Sequence, residues 1–172
     1  GAVTFAEDWM DHRLNCLKNY GIVDQDHVVW VGGNAKMNEF QAAMGLCNLH
    51  HLDQEIDRRR LVVERYLSGL AGVPGIRLPS FREGLTPNYA YFPVLFEDFK
   101  ADRDQVYDCL AGHRIYPRKY FYPLINDFQC YKGRFSSKDT PVAAYVADRV
   151  LTLPCYADLE LEDVDRICGI IR

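Results

Sequence analysis

Gly33-Asn34-Ala35-Lys36-Met37-Asn38-Glu39-Phe40-Gln41-Ala42-Ala43-Met44-Gly45-Leu46 is the stretch on which the reading of the fold turns. Asn38 followed three residues later by Gln41 has the pattern of a capping box, in which each side chain satisfies the other residue's free amide. Phe40, Ala43, Met44 and Cys47 then recur at i, i+3, i+4 and i+7, the spacing of one helix face to be buried. A second stripe, Leu52, Ile56, Val63, Tyr66, Leu67 and Leu70, keeps the same period. The two stripes form one long helix or two helices with a kink near His50-His51, and Pro74, Gly75 and Pro79 end the pattern. Upstream, Gly1 to Phe5 reads as a short β-like run. Glu7 to Lys18 reads as a helix with Trp9, Met10, Leu14 and Leu17 on its apolar stripe, stopped at Gly21. Residues 22–33 read as a strand and loop, with Val28-Val29-Trp30-Val31 as the apolar centre and Gly32-Gly33 as a break.

Downstream the pattern alternates. Asn88 to Phe96 is aromatic and β-rich, and Pro93 confines it to a sheet edge or a bulge because proline has no amide to give a ladder. Asp102 with Gln105 caps a helix running to about Ala111. Ile115 to Tyr122 is extended. Residues 126–140 are polar and read as a mobile loop. Thr140-Pro141 opens a helix carrying Ala143, Ala144, Ala147 and Val150. Leu151 to Pro154 is extended again, and Val164, Ile167, Cys168 and Ile171 share one face of a last helix. Residues 75–172 thus alternate strand and helix as a small α/β layer does.

Composition narrows the function. The chain has 172 residues, 48% apolar and 26% charged, with a net charge of −4. Its one basic run, Arg58-Arg59-Arg60, is no footprint for nucleic acid. No stretch approaches the ~20 apolar residues of a membrane helix, and the start lacks a basic-then-apolar secretion signal. These features predict a soluble, cytoplasmic protein. Cys16, Cys47, Cys109, Cys130, Cys155 and Cys168 contain no C-x-x-C pair and read as reduced core thiols rather than metal ligands. His50 and His51 diverge by about 100° on a helix and cannot chelate one ion together.

Tyr116, Tyr120, Phe121, Tyr122 and Tyr131 cluster around Arg118 and Lys119. Arginine grips phosphate by a bidentate fork, and tyrosine offers a flat face with a hydroxyl, so the segment suits a pocket for a phosphorylated, ring-shaped ligand. A β-strand with aromatics on its buried face gives the same composition.

The run from Gly33 to Leu46 and the run Ile115-Tyr-Pro-Arg-Lys-Tyr-Phe-Tyr-Pro-Leu124 together resemble the second half of a DegT/StrS-family nucleotide-sugar aminotransferase. Gly1-Ala-Val-Thr-Phe5, Asn19-Tyr-Gly-Ile22 and Leu153-Pro-Cys-Tyr156 extend the resemblance, in order, over nearly the whole chain. It implies the α/β architecture of a fold-type I, pyridoxal phosphate (PLP)-dependent transferase. Residues 1–50 would be the end of the cofactor-binding large domain, 51–74 an interdomain helix, and 75–172 the small C-terminal α/β domain. It further implies a homodimer that moves an amino group, usually from glutamate, onto a keto group of a nucleotide-linked sugar. Products of such enzymes enter lipopolysaccharide, O-antigen or antibiotic sugars.

By the same resemblance, Asn34 matches the asparagine that reaches across the dimer to the cofactor phosphate, and Lys36 a position held by Arg or Lys near the cofactor or sugar phosphates. A turn or capping asparagine and a solvated lysine remain the plain alternatives. Arg118, Tyr120 and Tyr122 match the small-domain segment that faces the sugar nucleotide. Arg118 to Leu124 is similar to the version in members acting on dTDP- or GDP-linked keto-deoxy sugars, and Ile125 stands where a His is common. The family's Schiff-base lysine falls upstream of Gly1. None of Lys18, Lys36, Lys100, Lys119, Lys132 and Lys138 has its context, so the isolated chain is expected to be catalytically incompetent. A part of such an enzyme would leave the apolar faces of residues 1–50 exposed and self-associate. The alternative is a non-catalytic remnant that serves as a binding or dimerisation partner.

Overall fold

The computed structural model describes all 172 residues, in which the α-helices and β-strands run α1(Trp9–Leu17), α2(Glu39–Leu70), β1(Ile76–Arg77), β2(Phe92–Phe96), α3(Arg103–Gly112), α4(Pro141–Ala147), β3(Val150–Leu153) and α5(Leu161–Ile171). By contact density they fall into two compact units, Gly1–His51 and Leu52–Arg172.

In the first unit, α1 stops where Tyr20 and Gly21 turn left-handed and the Gly21 amide donates to Cys16 O at 2.9 Å. A side chain cannot be added here. A Cβ on Gly21 would lie 1.7 Å from Trp30 O, and one on Gly32 would lie 2.3 Å from the Gly21 amide nitrogen. Two backbone passes therefore lie against each other at this point. The strands expected over 1–5 and 22–33 are absent. Residues 1–5 are irregular, and 22–33 hold only the single bridge Ile22↔Val28. Asp24 Oδ1 accepts from the amides of Asp26 and His27, 3.1 Å each, so a local turn takes donors a ladder would need. Val28, Val29 and Val31 are left exposed, as is Trp9 of the stripe expected on α1.

α2 is a single element of 32 residues, so the two stripes lie on one continuous helix. Its capping box forms: Gln41 N donates to Asn38 Oδ1 at 2.9 Å, and Asn38 N to Gln41 Oε1 at 3.1 Å. The stripe Phe40, Ala43, Met44 and Cys47, expected to be buried, is exposed, with Phe40 at 87%. The second stripe behaves differently. Val63, Tyr66 and Leu70, together with Val62, are buried.

Those four residues share one core with Phe92, Val94, Leu110, Leu151, Leu153, Val164 and Ile167. Each such side chain contributes roughly 1.5–3 kcal/mol by leaving water. Tyr66 stacks on Phe92 with ring centroids 4.8 Å apart and donates to Pro154 O at 3.0 Å. Arg65 holds Asp165 of α5 by a two-point ion pair, 2.6 Å at each contact.

The sheet is antiparallel in the order β1-β2-β3, so the strand containing Pro93 is central, not an edge strand or a bulge. The proline is tolerated for a geometric reason. Pro93 faces Thr152, whose amide and carbonyl both bond Arg118 on the far side (2.7 and 2.9 Å). The Pro93 nitrogen therefore points toward β1, and β1 pairs only with Leu95 and Phe96. At its own level Pro93 has an open flank.

α3 carries the second capping box, Gln105 N to Asp102 Oδ1 at 2.8 Å and Asp102 N to Gln105 Oε1 at 2.9 Å. Residues 126–140 are not a featureless loop. Three short 3-10 turns cover Ile125–Asp127, Gln129–Tyr131 and Ser137–Asp139, and Asn126 Nδ2 ties the first to Ser136 O at 3.0 Å. α4 begins at Pro141 but ends before Val150, which opens β3 instead, because its Leu95 partner is non-local. α5 buries Val164, Ile167, Cys168 and Ile171.

Candidate functional site

Asn34 and Lys36 belong to the first unit, and Arg118, Tyr120 and Tyr122 to the second. Each group is built within its own unit.

The segment from Gly33 to Lys36 is laid along the end of α1 by backbone bonds. Gly33 N donates to Leu17 O (2.9 Å), Tyr20 N to Gly33 O (3.0 Å) and Ala35 N to Lys18 O (2.9 Å), and Asn34 bridges Asn19. Lys36 Nζ donates to Asn19 Oδ1 at 2.8 Å and lies 5.3 Å from the centre of the Tyr20 ring. Asn34 is exposed and its amide has no partner. The result is a cation and a free amide donor two residues apart on one backbone-bonded segment, a pair suited to an anionic oxygen. Asn19 and Tyr20, which place the Lys36 head group, were not among the residues singled out for a role. Their one signal was the run Asn19 to Ile22.

The second group lies on the segment between α3 and the first 3-10 turn. Expected to be extended throughout, Ile115–Tyr122 pairs only at Arg118, which makes both backbone bonds with Thr152 of β3. The Arg118 side chain is exposed and forms no ion pair or hydrogen bond. Tyr120 meets Tyr91 edge-on at 5.8 Å and stacks on Phe121 at 4.7 Å. The Tyr122 ring lies 4.7 Å from the Arg103 guanidinium. Lys119 Nζ pairs with Asp104 Oδ1 at 2.5 Å and sits 4.7 Å from the Tyr107 ring. The Lys119 ammonium, with Arg103 behind it, holds the Asp104 carboxyl below the usual carboxylate range. Sequence reasoning took Asp102-Arg103-Asp104 only as a helix start, and nothing local in that run marks Arg103 as buried.

Lys18, Lys36, Lys100, Lys132 and Lys138 are exposed, and half-buried Lys119 is committed to Asp104. A nucleophilic lysine needs a site that disfavours its charge. No group of three or more His, Cys, Asp or Glu is gathered to hold a metal ion, and no helix is long and apolar enough to cross a membrane.

Known proteins resemble this chain along its whole length. The profile of the DegT/DnrJ/EryC1/StrS aminotransferase family matches residues 1–172. A dTDP-4-amino-4,6-dideoxy-D-glucose transaminase of Escherichia coli is 40% identical, over 99% of this chain and 47% of its own length. Among solved structures, S. venezuelae DesV in complex with a ketimine intermediate superposes with a TM-score of 0.86 at 32% identity, over 96% of this chain and 44% of that one. DesI, solved with its TDP-sugar product, gives 0.81 at 29% identity, over 92% and 41%. The chain thus spans about half the length of the relatives it matches, and its small mixed α/β structure is part of the fold they share. Over its whole length the chain belongs to the DegT/DnrJ/EryC1/StrS aminotransferase family.

Proposed function

We propose that this chain is the C-terminal half of a PLP-dependent aminotransferase that moves an amino group, from glutamate, onto the keto group of a nucleotide-linked sugar for cell-surface polysaccharide. The observation that carries the reading is the 40% identity to the dTDP-sugar transaminase of Escherichia coli across 99% of the chain. Residues 1–50 complete the large domain, 51–74, helical as far as Leu70 within α2, form the interdomain segment, and 75–172 the small domain. The working enzyme is a cytoplasmic homodimer. The exposed stripe of Phe40, Ala43, Met44 and Cys47 supports an association of this kind.

The residues present fit one end of the cofactor. Asn34 and Lys36 offer a donor and a charge to its phosphate, whereas no lysine here suits its aldehyde. Bound PLP would supply an electron sink. In this reading Asn34 and Lys36 hold and orient, and the covalent lysine comes from outside residues 1–172. Arg118 binds the diphosphate of the sugar nucleotide, while Tyr120 and Tyr122 flank the ring to be aminated.

Two experiments test the reading. Titration of the chain with PLP, followed by borohydride trapping and peptide mass spectrometry, is expected to give no site-specific lysine adduct. An adduct at one lysine would overturn the assignment of the covalent step to another segment. Mixing the chain with the N-terminal half of the Escherichia coli relative, then supplying glutamate and a dTDP-linked keto sugar, should restore transamination. If the complemented pair forms yet stays inactive, the non-catalytic binding or dimerisation role, which the exposed stripe equally favours, takes its place.

A further inference from the structure

The side chain of Arg103 is 3% exposed, unusual for a residue at the first position of a helix. A guanidinium is kept out of water only where its charge is paired and its N–H groups are used. Its Nε donates to Asp104 Oδ1 at 2.6 Å, and its Nη1 to the carbonyl of Ala147, the last residue of α4, at 2.8 Å. Its face is closed by the Tyr122 ring at 4.7 Å. The Asp104 oxygen that holds Arg103 also takes Lys119 Nζ, at 2.5 Å. One carboxylate oxygen thus binds two cations. One of them lies under Tyr122, and the other is itself part of the aromatic segment. On its opposite side the same segment is laced to β3 through the backbone of Arg118.

We propose that Arg103 and Asp104 are positioning residues. They clamp the segment Arg118–Tyr122 against α3 and the end of α4, and so fix the geometry with which it meets a sugar nucleotide. The inference rests on the reading of that segment as ligand-facing, and it divides the segment's labour. The Lys119 ammonium is held on Asp104, so within the segment Arg118 is the cation whose side chain has no partner and can turn to a diphosphate. The ring of Tyr122 is spent on Arg103, so only its hydroxyl remains for the ligand. A cation over an aromatic face depends on the ring and not on the hydroxyl, which makes the two uses of Tyr122 separable.

The test uses the 172-residue chain and two readouts. The first is hydrogen exchange at the Tyr122 amide, which donates to Lys119 O, and at the Arg118 amide, which donates to Thr152 O. Asp104→Asn and Tyr122→Leu are expected to speed exchange at Tyr122 at least tenfold, while the β2 and β3 amides stay as in the unaltered chain. Tyr122→Phe keeps the ring and should exchange as the unaltered chain does. Exchange at Tyr122 unchanged in Asp104→Asn would overturn the clamp whatever the ligand.

The second readout is calorimetric binding of thymidine diphosphate. Asp104→Asn should weaken it about tenfold, and Arg118→Ala more. Tyr122→Phe should weaken it without any change in exchange, which a purely structural tyrosine would not do. Faster exchange with unaltered affinity in Asp104→Asn would overturn the positioning role. If the unaltered chain fails to bind thymidine diphosphate, the ligand-facing reading falls and takes the clamp's role in binding with it, while exchange still decides whether the clamp exists.

Discussion

The two compact units draw on the same kind of sequence and come to opposite ends. Phe40, Met44 and Cys47 repeat at helical spacing, and so do Val63, Tyr66 and Leu70 on the same helix. The second set is buried in a core fed by two other helices and a sheet, and the first stands in solvent. In the first fifty-one residues Cys16 is the one buried hydrophobic side chain. Periodicity shows that a face is meant to be covered. What covers it is a property of another element, and only where such an element packs on it does the pattern become a core.

That contrast can be broken in several ways, beginning with the largest effect. Tyr66→Ala removes a fully buried ring that stacks on Phe92, and should cost the second unit about 3–5 kcal/mol, as such truncations do. Tyr66→Phe, which loses only the bond to Pro154 O, should cost about 1 kcal/mol. Denaturant unfolding followed by near-ultraviolet circular dichroism measures both. Equal losses in the two variants would mean that the ring contributes no packing.

Thiol labelling compares the units directly. Cys16 and Cys168 are nearly equally buried, at 5% and 4% exposed. With so little apolar burial around it, Cys16 should open and react with a maleimide at least about tenfold faster, a difference of ~1.4 kcal/mol in opening free energy. Burial also pushes the Cys168 thiol up to about 11, so its reactive thiolate is scarce. The sign for stability follows. The unfolded thiol ionises near ~8.5, before the folded one, so the contribution of Cys168 is present below that pH and is lost as pH rises toward 11. Labelling of Cys168 ahead of Cys16 would reverse the ranking of the two units.

The paired capping boxes give a finer comparison. Asn38→Ala and Asp102→Ala each remove one such cap and should each cost about 1 kcal/mol of local helix stability. Only the second is expected to appear in global unfolding, and the first should show instead as faster amide exchange over residues 39–42. Smallest is the Arg65–Asp165 pair. The arginine lowers the Asp165 carboxyl, so its contribution is present at neutral pH and is lost as pH falls through the depressed folded value. Both partners are about half exposed, and salt should mute the effect. A shift in unfolding midpoint between pH 6 and pH 3 that survives in Asp165→Asn would assign it to other groups.

What the sequence made legible was mostly what depends on neighbours three or four residues away. Both capping boxes, the start of α4 at Pro141 and the buried face of α5 are of this kind. Several misreadings turned on distant partners. Val28 to Val31 has strand composition but no strand to join. Val150 continues an alanine-rich helical pattern but pairs with Leu95. Pro93 was placed at an edge because proline breaks ladders, yet β2 is central and only the shortness of β1 leaves Pro93 its open flank. The aromatic segment was visible as a cluster, and its anchoring was not. Arg103 reaches Ala147 across 44 positions, and a charged residue in a helix's first turn ordinarily reads as solvated.

The continuity of α2 matters to anyone who would divide the gene. The two units meet by contact density between His51 and Leu52, which would ordinarily suggest a place to cut, but that point lies inside an unbroken hydrogen-bonded ladder about 48 Å long at 1.5 Å per residue. A fragment ending there would expose roughly four acceptors, and its complement roughly four donors, that the intact helix satisfies without help. A stable second fragment therefore has to start well upstream of Leu52 or be given a new cap of its own.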